Sequence, residues 1–250
     1  MSPGAWAAIC DGLMRLAIQL YTLREIDALA ALPTLAAQGY EAVELYARPD
    51  EVDDLRRRLD EAGLEVCGWH VGLDRFDDAF DEVVEQARVL NVPRLVVPWA
   101  ERPADRAGAE ALAERLAALR ERVAAAGLPL GYHNHGHELE PIPDGTVTLD
   151  VLAEVDGLEL ELDLGWLWVA GEDPVGRLEK HSGRVPLVHA KDFADADTSA
   201  PVGDGEVGYD RIVPAARAAG VEWLIVEQEE HAGDPLDSTA RSAEALRGLL

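Results

Sequence analysis

The chain has 250 residues, 48% of them hydrophobic, and carries 22 Lys+Arg against 48 Asp+Glu, a formal net charge of −26. A field of that sign repels polyanions and anionic membrane surfaces, so nucleic-acid and membrane-surface partners are not expected. The apolar content excludes a disordered acidic tail. No stretch approaches the ~18 consecutive apolar residues of a membrane span. Cys10 and Cys67 are too few for a disulfide scaffold, which points to a reducing, cytoplasmic compartment.

The chain opens on MSPGAWAAICDG, mildly apolar but without a basic region and interrupted by Asp11. It reads as an N-terminal tail over residues 1–14 rather than a signal peptide, with Met14 a candidate start. From Arg15 onward, short runs rich in β-branched or aromatic residues alternate with helical runs of Ala, Leu, Arg and Glu. The strands expected are Leu16–Tyr21, Ala42–Tyr46, Glu65–His70, Arg94–Pro98, Pro129–His133, Leu158–Asp163, Pro186–Ala190 and Trp223–Glu227. The helices expected between them are Ile26–Gln38, Glu51–Ala62, Arg75–Leu90, Ala104–Ala126, a short one at Thr148–Glu154, Val175–His181 and Tyr209–Ala219, with Ser238–Leu250 closing the chain. Glycines 39, 63, 127 and 220 follow helical runs and predict left-handed stops. Eight such units with no linker rich in Pro, Gly or Ser predict one α/β domain over 15–250, a (β/α)8 TIM barrel. An open doubly wound sheet would carry a glycine-rich turn after its first strand; the text there, QLYTLR, has none.

Barrel chemistry sits at the C-terminal strand ends. Those ends carry Glu44 and Tyr46, then Trp69 and His70, then YHNHGHE over 132–138. The later strands end in Asp163, in His189 with Lys191 and Asp192, and in Glu227 with Glu229. His181 and His231 fall at a helix end and in a loop. Taken singly, Glu44 reads equally as a solvated or salt-bridged charge, and His70 as a satisfied core histidine. Together, carboxylates that follow apolar strand runs, beside several imidazoles, point to a divalent cation that offsets the cost of gathering them. Two carboxylates with two imidazoles and no thiolate suit Mn²⁺, Co²⁺, Zn²⁺ or Fe²⁺, with Mg²⁺ less suited. Cys67, mid-strand, reads as core. Trp69, Trp99, Trp166 and Trp168 lie near strand ends, where an aromatic wall would face a sugar.

The pieces GYEAVEL (39–45), GYHNHGHEL (131–139), ELDLGW (161–166), VHAKDF (188–193), VGDGEVGYD (202–210) and IVEQ (225–228) occur in one order over nearly the whole chain. In that order they resemble the sugar phosphate isomerase/epimerase superfamily of xylose-isomerase-like TIM barrels, in a subgroup with a YHNHxxE motif. The resemblance implies one metal held at the ends of strands 5 to 8, by His133, Asp163, His189 and Glu227. Many members have a strand-5 glutamate where this chain has His133, so His135 or Glu138 stand as alternative strand-5 ligands. The same departure removes one of the two glutamates that serve as paired acid and base.

The implied activity is isomerisation or epimerisation of a sugar or sugar-like polyol by proton transfer next to a carbonyl, through an enediolate. Glu227, His133, His135 and Lys191 are the candidate catalytic groups, and Glu44, His70, Trp99 and Trp166 the candidate substrate contacts. Alternatives are a metal-dependent lyase, dehydratase or hydrolase on keto-sugars or cyclitols, an abasic-site nuclease, and a non-catalytic sugar-binding subunit. The nuclease would need several metals and extra His/Glu ligands. The partner expected is a small carbohydrate, with no obvious dimer arm in the final helix.

Overall fold

The computed structural model describes residues 14–46 and 51–250. The expected N-terminal tail lies outside the described residues except for Met14, which is buried. Eight parallel strands close into a barrel: β1 (Arg15–Gln19), β2 (Ala42–Leu45), β3 (Glu65–His70), β4 (Leu95–Val97), β5 (Leu130–His133), β6 (Glu159–Asp163), β7 (Leu187–Ala190) and β10 (Trp223–Val226). The last closes on the first, with Leu16 opposite Leu224 and Ile18 opposite Val226. The crossovers that parallel pairing requires are supplied by helices. These are α1 (Ala28–Gln38), α2 (Val52–Ala62), α3 (Leu73–Asp78), α4 (Phe80–Val89), α5 (Arg106–Ala125), α6 (Thr148–Leu152), α7 (Leu164–Val169), α8 (Pro174–Lys180) and α9 (Tyr209–Ala219), with α10 (Pro235–Arg247) at the end. The architecture is the single (β/α)8 domain that the alternation predicts. The glycines at 39, 63, 127 and 220 all take positive φ. At Gly39 and Gly63 the left-handed residue itself caps the helix and returns its N–H to the last turn.

Side chains two apart on a strand share a face, so each barrel strand has a helix-facing and a lumen-facing series. The lumen is apolar at its N-terminal end, where Ala17, Ala42, Cys67, Val96, Leu187, Trp223 and Ile225 form a small core of their own. Two residues further along, the same faces become polar: Ala17 gives way to Gln19, Ala42 to Glu44, Leu187 to His189 and Ile225 to Glu227. Strand β6 is the extreme case. Its leucines at 158, 160 and 162 are buried in the main core between barrel and helices, while Glu159, Glu161 and Asp163 form the alternate series.

Three features differ from the sequence expectation. The single helix over 75–90 is two, broken at Ala79, whose φ of −144° and ψ of 35° leave the helical region. The break lets Phe76 bury completely while Phe80 lies under the Arg122 guanidinium, 4.3 Å from its ring centre. The run LGWLWV, for which no element was expected, is α7; the Asp163 side chain accepts the Trp166 N–H at 2.8 Å and caps its start. A two-stranded hairpin, β8 (Asp192–Asp195) with β9 (Thr198–Ala200), follows β7. It is anchored by the buried Asp192 carboxylate, which accepts the N–H groups of Phe193, Gly203, Gly205 and Val207 at 2.9 to 3.2 Å.

Helix α7 packs so closely on the end of β7 that a Cβ on Gly165 would stand 2.6 Å from the Lys191 carbonyl oxygen and 2.8 Å from Phe193 Cε2. Gly165→Ala is therefore expected to destabilise the fold by about 1–3 kcal/mol. That corresponds to a melting point lower by roughly 2–4 °C per kcal/mol for a chain of this size. An unchanged thermal midpoint would show that the contact relaxes without cost.

Candidate metal centre

The polar series of β2, β3, β5, β6, β7 and β10 meets inside the C-terminal half of the barrel. Glu44, His133, Glu161, Asp163, His189 and Lys191 are each at most 1% exposed, and His70 and Glu227 are 8% and 7% exposed. Two groups of donors form there. The outer one is His133, Asp163, His189 and Glu227; the inner one is His70, His133, Glu161 and His189. Within each group, one donor atom per residue lies within 4.8 Å of all the others.

His189 stands between the groups. Its Nδ1 is 2.8 Å from Glu227 Oε2, and its Nε2 is 2.7 Å from Glu44 Oε2. Gln19 Nε2 donates to the same Glu44 oxygen at 2.8 Å. With Nε2 held by a carboxylate, Nδ1 is the nitrogen that would ligate a cation in place of its contact with Glu227, the usual arrangement of a metal-binding imidazole. His70 Nε2 reaches Glu161 Oε2 at 2.6 Å and Glu44 Oε2 at 3.2 Å. Lys191 Nζ lies 3.2 Å from Asp163 Oδ2, 3.1 Å from Glu227 Oε2 and 2.7 Å from Glu229 Oε1. Asp192, the next residue along, is committed to the hairpin instead.

The electrostatics follow from burial opposed by these pairings. Burial pushes the Glu227 carboxyl up, but Lys191 and His189 hold it well below the usual carboxylate range. Glu44 behaves alike, with His70 and His189 overcoming burial to keep it ionised. Burial and the charge of Glu44 push Glu161 up to about 7, against the pull of His189 and His70. Burial also raises Asp163. It would lower Lys191, but three carboxylates more than reverse that, and the side chain is an ammonium. His133 and His135 go the other way. Burial, then neighbouring cations, push His133 well below its ordinary value, and burial with Lys191 lowers His135, so both rings are neutral near pH 7.

Of the sequence-predicted residues, the structure brings His133, Asp163, His189, Glu227, His70 and Lys191 together. Glu44 belongs to the same cluster but lies behind the cavity wall, bonded to imidazoles. Glu138 is turned away from the cluster: it is buried and accepts from Tyr132 Oη at 2.7 Å and from the His135 N–H at 2.8 Å. Asn134 of the same motif takes the Asp163 N–H at 3.2 Å and ties β5 to β6. Glu161 was not singled out by the sequence reading. The signal was present in LELELD (158–163), a strict alternation that puts Glu161 on the face of Asp163.

Above the donors opens a cavity of about 510 Å³. Tyr21, Tyr46, Trp69, Trp99 and Trp166 form its aromatic walls, with His70, His133, His135 and Glu227 at its floor and Arg75 and Glu229 also on its lining. Trp99 is 54% exposed at this opening, and Tyr21 meets Tyr46 edge-on at 5.3 Å. Trp168 is not part of the lining and packs on the main core.

The outer donors fit a divalent cation. His133 Nδ1 is buried without a hydrogen bond, and the buried Asp163 Oδ2 has the Lys191 ammonium beside it at 3.2 Å. The donor spread suits one ion at roughly 2 Å from each. The family model of the xylose isomerase-like TIM barrel matches residues 32–249. The chain belongs to that family. It is 29% identical to the rhizopine catabolism protein MocC of Rhizobium meliloti, in an alignment of 242 residues covering 80% of this chain and 74% of that one. It is 27% identical over 143 residues to an inosose dehydratase of Lacticaseibacillus casei, 48% of this chain and 47% of that one. A 95-residue stretch, 35% of this chain and 37% of the other, is 37% identical to "Probable endonuclease 4" of Mycobacterium tuberculosis. In fold it is similar to a sugar phosphate isomerase/epimerase from Parabacteroides distasonis, with a TM-score of 0.81 at 23% identity over 94% of this chain and 96% of that one.

Without a metal, His70 is a sensitive reporter of the cluster. Burial pushes its imidazole down, but Glu44 and Glu161 more than reverse this and raise it to about 10. A group whose folded value lies above its unfolded value of about 6.5 stabilises the fold below pH 6.5 and loses that contribution as pH rises through 10. Chelator-treated protein is expected to melt at lower temperature as pH goes from 7 to 10, and His70→Gln to fall less steeply over that window. Parallel curves for the two proteins would remove His70 as the source.

Proposed function

We propose that the chain is a divalent-metal-dependent isomerase or epimerase that moves a proton next to the carbonyl of a sugar or sugar-like polyol. The observation that carries the reading is the outer donor set, His133, Asp163, His189 and Glu227, at the floor of an aromatic-walled cavity of about 510 Å³. A cavity of that size suits a monosaccharide or cyclitol. The donor chemistry suits Mn²⁺, Co²⁺, Zn²⁺ or Fe²⁺. Such an ion, when bound, supplies Lewis-acid stabilisation for charge that develops on a substrate oxygen.

The chain's own groups divide the remaining work. Glu227, held ionised by Lys191 and His189, is suited to ligation rather than to carrying a proton. Lys191 stays charged and fixes the positions of Asp163 and Glu227. His135 lines the cavity, is neutral near pH 7, and its buried Nδ1 has no hydrogen bond. It is the group we assign to take the proton from the carbon next to the carbonyl and, in isomerisation, to return it on the same face at the neighbouring carbon of the enediolate, whereas epimerisation requires a second group to return it from the opposite face. The aromatic walls bind the sugar face. His70 is within reach of substrate hydroxyls from the cavity floor.

A second reading is favoured by one observation. Glu138 and Glu227 are both committed elsewhere, and with His133 assigned to the metal, His135 is left as the described lining imidazole with a nitrogen free of hydrogen bonds. A single base serves proton transfer on one face of a substrate, and it serves equally the loss of a hydroxyl β to the carbonyl. The relative named inosose dehydratase supports keto-cyclitol dehydration as this alternative. The net charge of −26 and the aromatic lining favour a small neutral carbohydrate over nucleic acid. The buried free thiol of Cys67 suits the cytoplasm.

Purified protein is expected to hold divalent metal, to lose turnover of keto-sugars or keto-cyclitols on prolonged chelation, and to regain it with Mn²⁺. Asp163→Ala is expected to bind at least one equivalent less while keeping its circular dichroism. Full metal retention in that variant would sink the assignment. His135→Gln is expected to keep the metal and lose about 10²–10⁴-fold in kcat. In D₂O, isomerisation adds deuterium without losing a fragment, whereas dehydration removes the mass of water. Full activity in His135→Gln would move the proton transfer to another group.

A further inference from the structure

The cavity wall at Tyr21 and the outer donors stand on different strands, yet a continuous set of hydrogen bonds joins them. We propose that Gln19 is a positioning residue that carries the state of the donor set to the cavity mouth, so that filling the outer donors also fixes the Tyr21 wall. This rests on the cation site proposed above and adds a link that the donors alone do not imply.

The link begins at His189. Its Nε2 is 2.7 Å from Glu44 Oε2, and Gln19 Nε2 donates to that same oxygen at 2.8 Å. Gln19 stands opposite Glu44 in the pairing of β1 with β2 and is 1% exposed. Its other amide atom, Oε1, accepts the Tyr21 N–H at 3.2 Å and caps the 3-10 turn at Leu20–Leu23. An amide suits this place because it offers a donor at one end and an acceptor at the other. A glutamate would set a second carboxylate against Glu44, and an apolar side chain would leave both partners short of a hydrogen bond.

The turn held in this way carries part of the cavity wall. Tyr21 lines the cavity and meets Tyr46 edge-on at 5.3 Å. A second route reaches the same turn from the other side of the donor set. Lys191 lies beside Asp163 and Glu227 and donates to Glu229 Oε1 at 2.7 Å. Arg24 donates to the Glu229 carbonyl, and its guanidinium lies over the Tyr21 ring, 4.4 Å from the ring centre. His189 through Gln19, and Asp163 with Glu227 through Lys191, thus converge on one turn of four residues.

With His189 Nδ1 engaged by a cation, the ring carries its proton on Nε2, towards Glu44. Glu44 Oε2 then faces two N–H donors, which holds the Gln19 amide with Oε1 towards Tyr21. The link runs equally in reverse, because coupling between two sites is reciprocal: freeing the turn weakens the hold on the cation.

The test uses Co²⁺ alone. Metal-depleted full-length chain is titrated with Co²⁺, followed by its visible d–d spectrum, and backbone amide exchange over residues 20–24 is measured with and without the ion. In wild type, Co²⁺ is expected to slow exchange of the Tyr21 N–H by about fivefold or more. Gln19→Met is expected to bind Co²⁺ about 10-fold more weakly and, when saturated, to show Tyr21 exchange that the ion no longer slows. Gln19→Glu keeps an acceptor for the Tyr21 N–H, serves should Gln19→Met fail to fold, and is expected to lose the same response. A merely structural Gln19 would speed exchange equally in both states, so the difference between the states decides. A Tyr21 response that both variants retain overturns the link and leaves the proposed function standing, as does wild-type exchange that bound Co²⁺ leaves unchanged. Wild type that binds no Co²⁺ overturns the proposed function and the link with it.

Discussion

Four carboxylates, those of Glu44, Glu161, Asp163 and Glu227, share the interior of one small barrel, each less than a tenth exposed. Removing an ion from water costs several kcal/mol, and a facing charge repays this only with good geometry. Much of the upper half of the fold meets that constraint. Lys191 is driven into the lumen, although a fully buried ammonium is rare, because three carboxylates converge on it. His70 pairs with two carboxylates and His189 with three, while burial, reinforced by neighbouring cations, keeps His133 and His135 neutral. The cluster thus sets the charged imidazoles of His70 and His189 against carboxylates, with the neutral rings of His133 and His135 beside them.

The surrounding loops hold this arrangement rather than take part in it. Asn134 joins β5 to β6 through a backbone N–H, and Glu138 holds the same loop to Tyr132. Beyond β10 the chain is stitched to the 3-10 turn at Leu20–Leu23: the Gln228 N–H donates to Thr22 Oγ1, and Arg24 donates to the Glu229 carbonyl. Glu229 is thereby placed over Lys191. The close approach of α7 to β7 at Gly165 holds the Lys191 backbone from the other side.

Most of the scaffold was legible in the sequence because a buried parallel strand and an amphipathic helix write different periods, and glycine marks where the helices stop. All eight barrel strands fell within two residues of their expected ends. What escaped was local competition between signals. No element was expected for LGWLWV, where the Asp163 side chain caps the start of a helix. The hairpin at Asp192–Ala200 depends on one buried carboxylate gathering N–H groups from residues up to 15 positions away, which no short window reveals. At the site, reading the strand ends found Asp163, His189 and Glu227 but passed over Glu161, one turn of the pleat deeper. Glu161 matters for the alternatives as well, since extra His/Glu ligands were what the sequence reading lacked for a multi-metal site.

Asp163 has two oxygens with two different employers. Oδ1 is committed to the first turn of α7, and Oδ2 faces Lys191 and the outer donors. Trp166, whose N–H receives that cap, is also a wall of the cavity. The residue therefore links what happens at the donors to the shape of the binding surface one turn of helix away. For anyone redesigning this barrel for a different substrate, position 163 is a poor place to adjust the donor set. A longer acid there would have to give up either the helix start or the donor position, and the tryptophan face would shift with it. The free variables lie on the opposite wall, at Tyr21, Tyr46 and Trp99, whose side chains shape the opening without touching a buried charge.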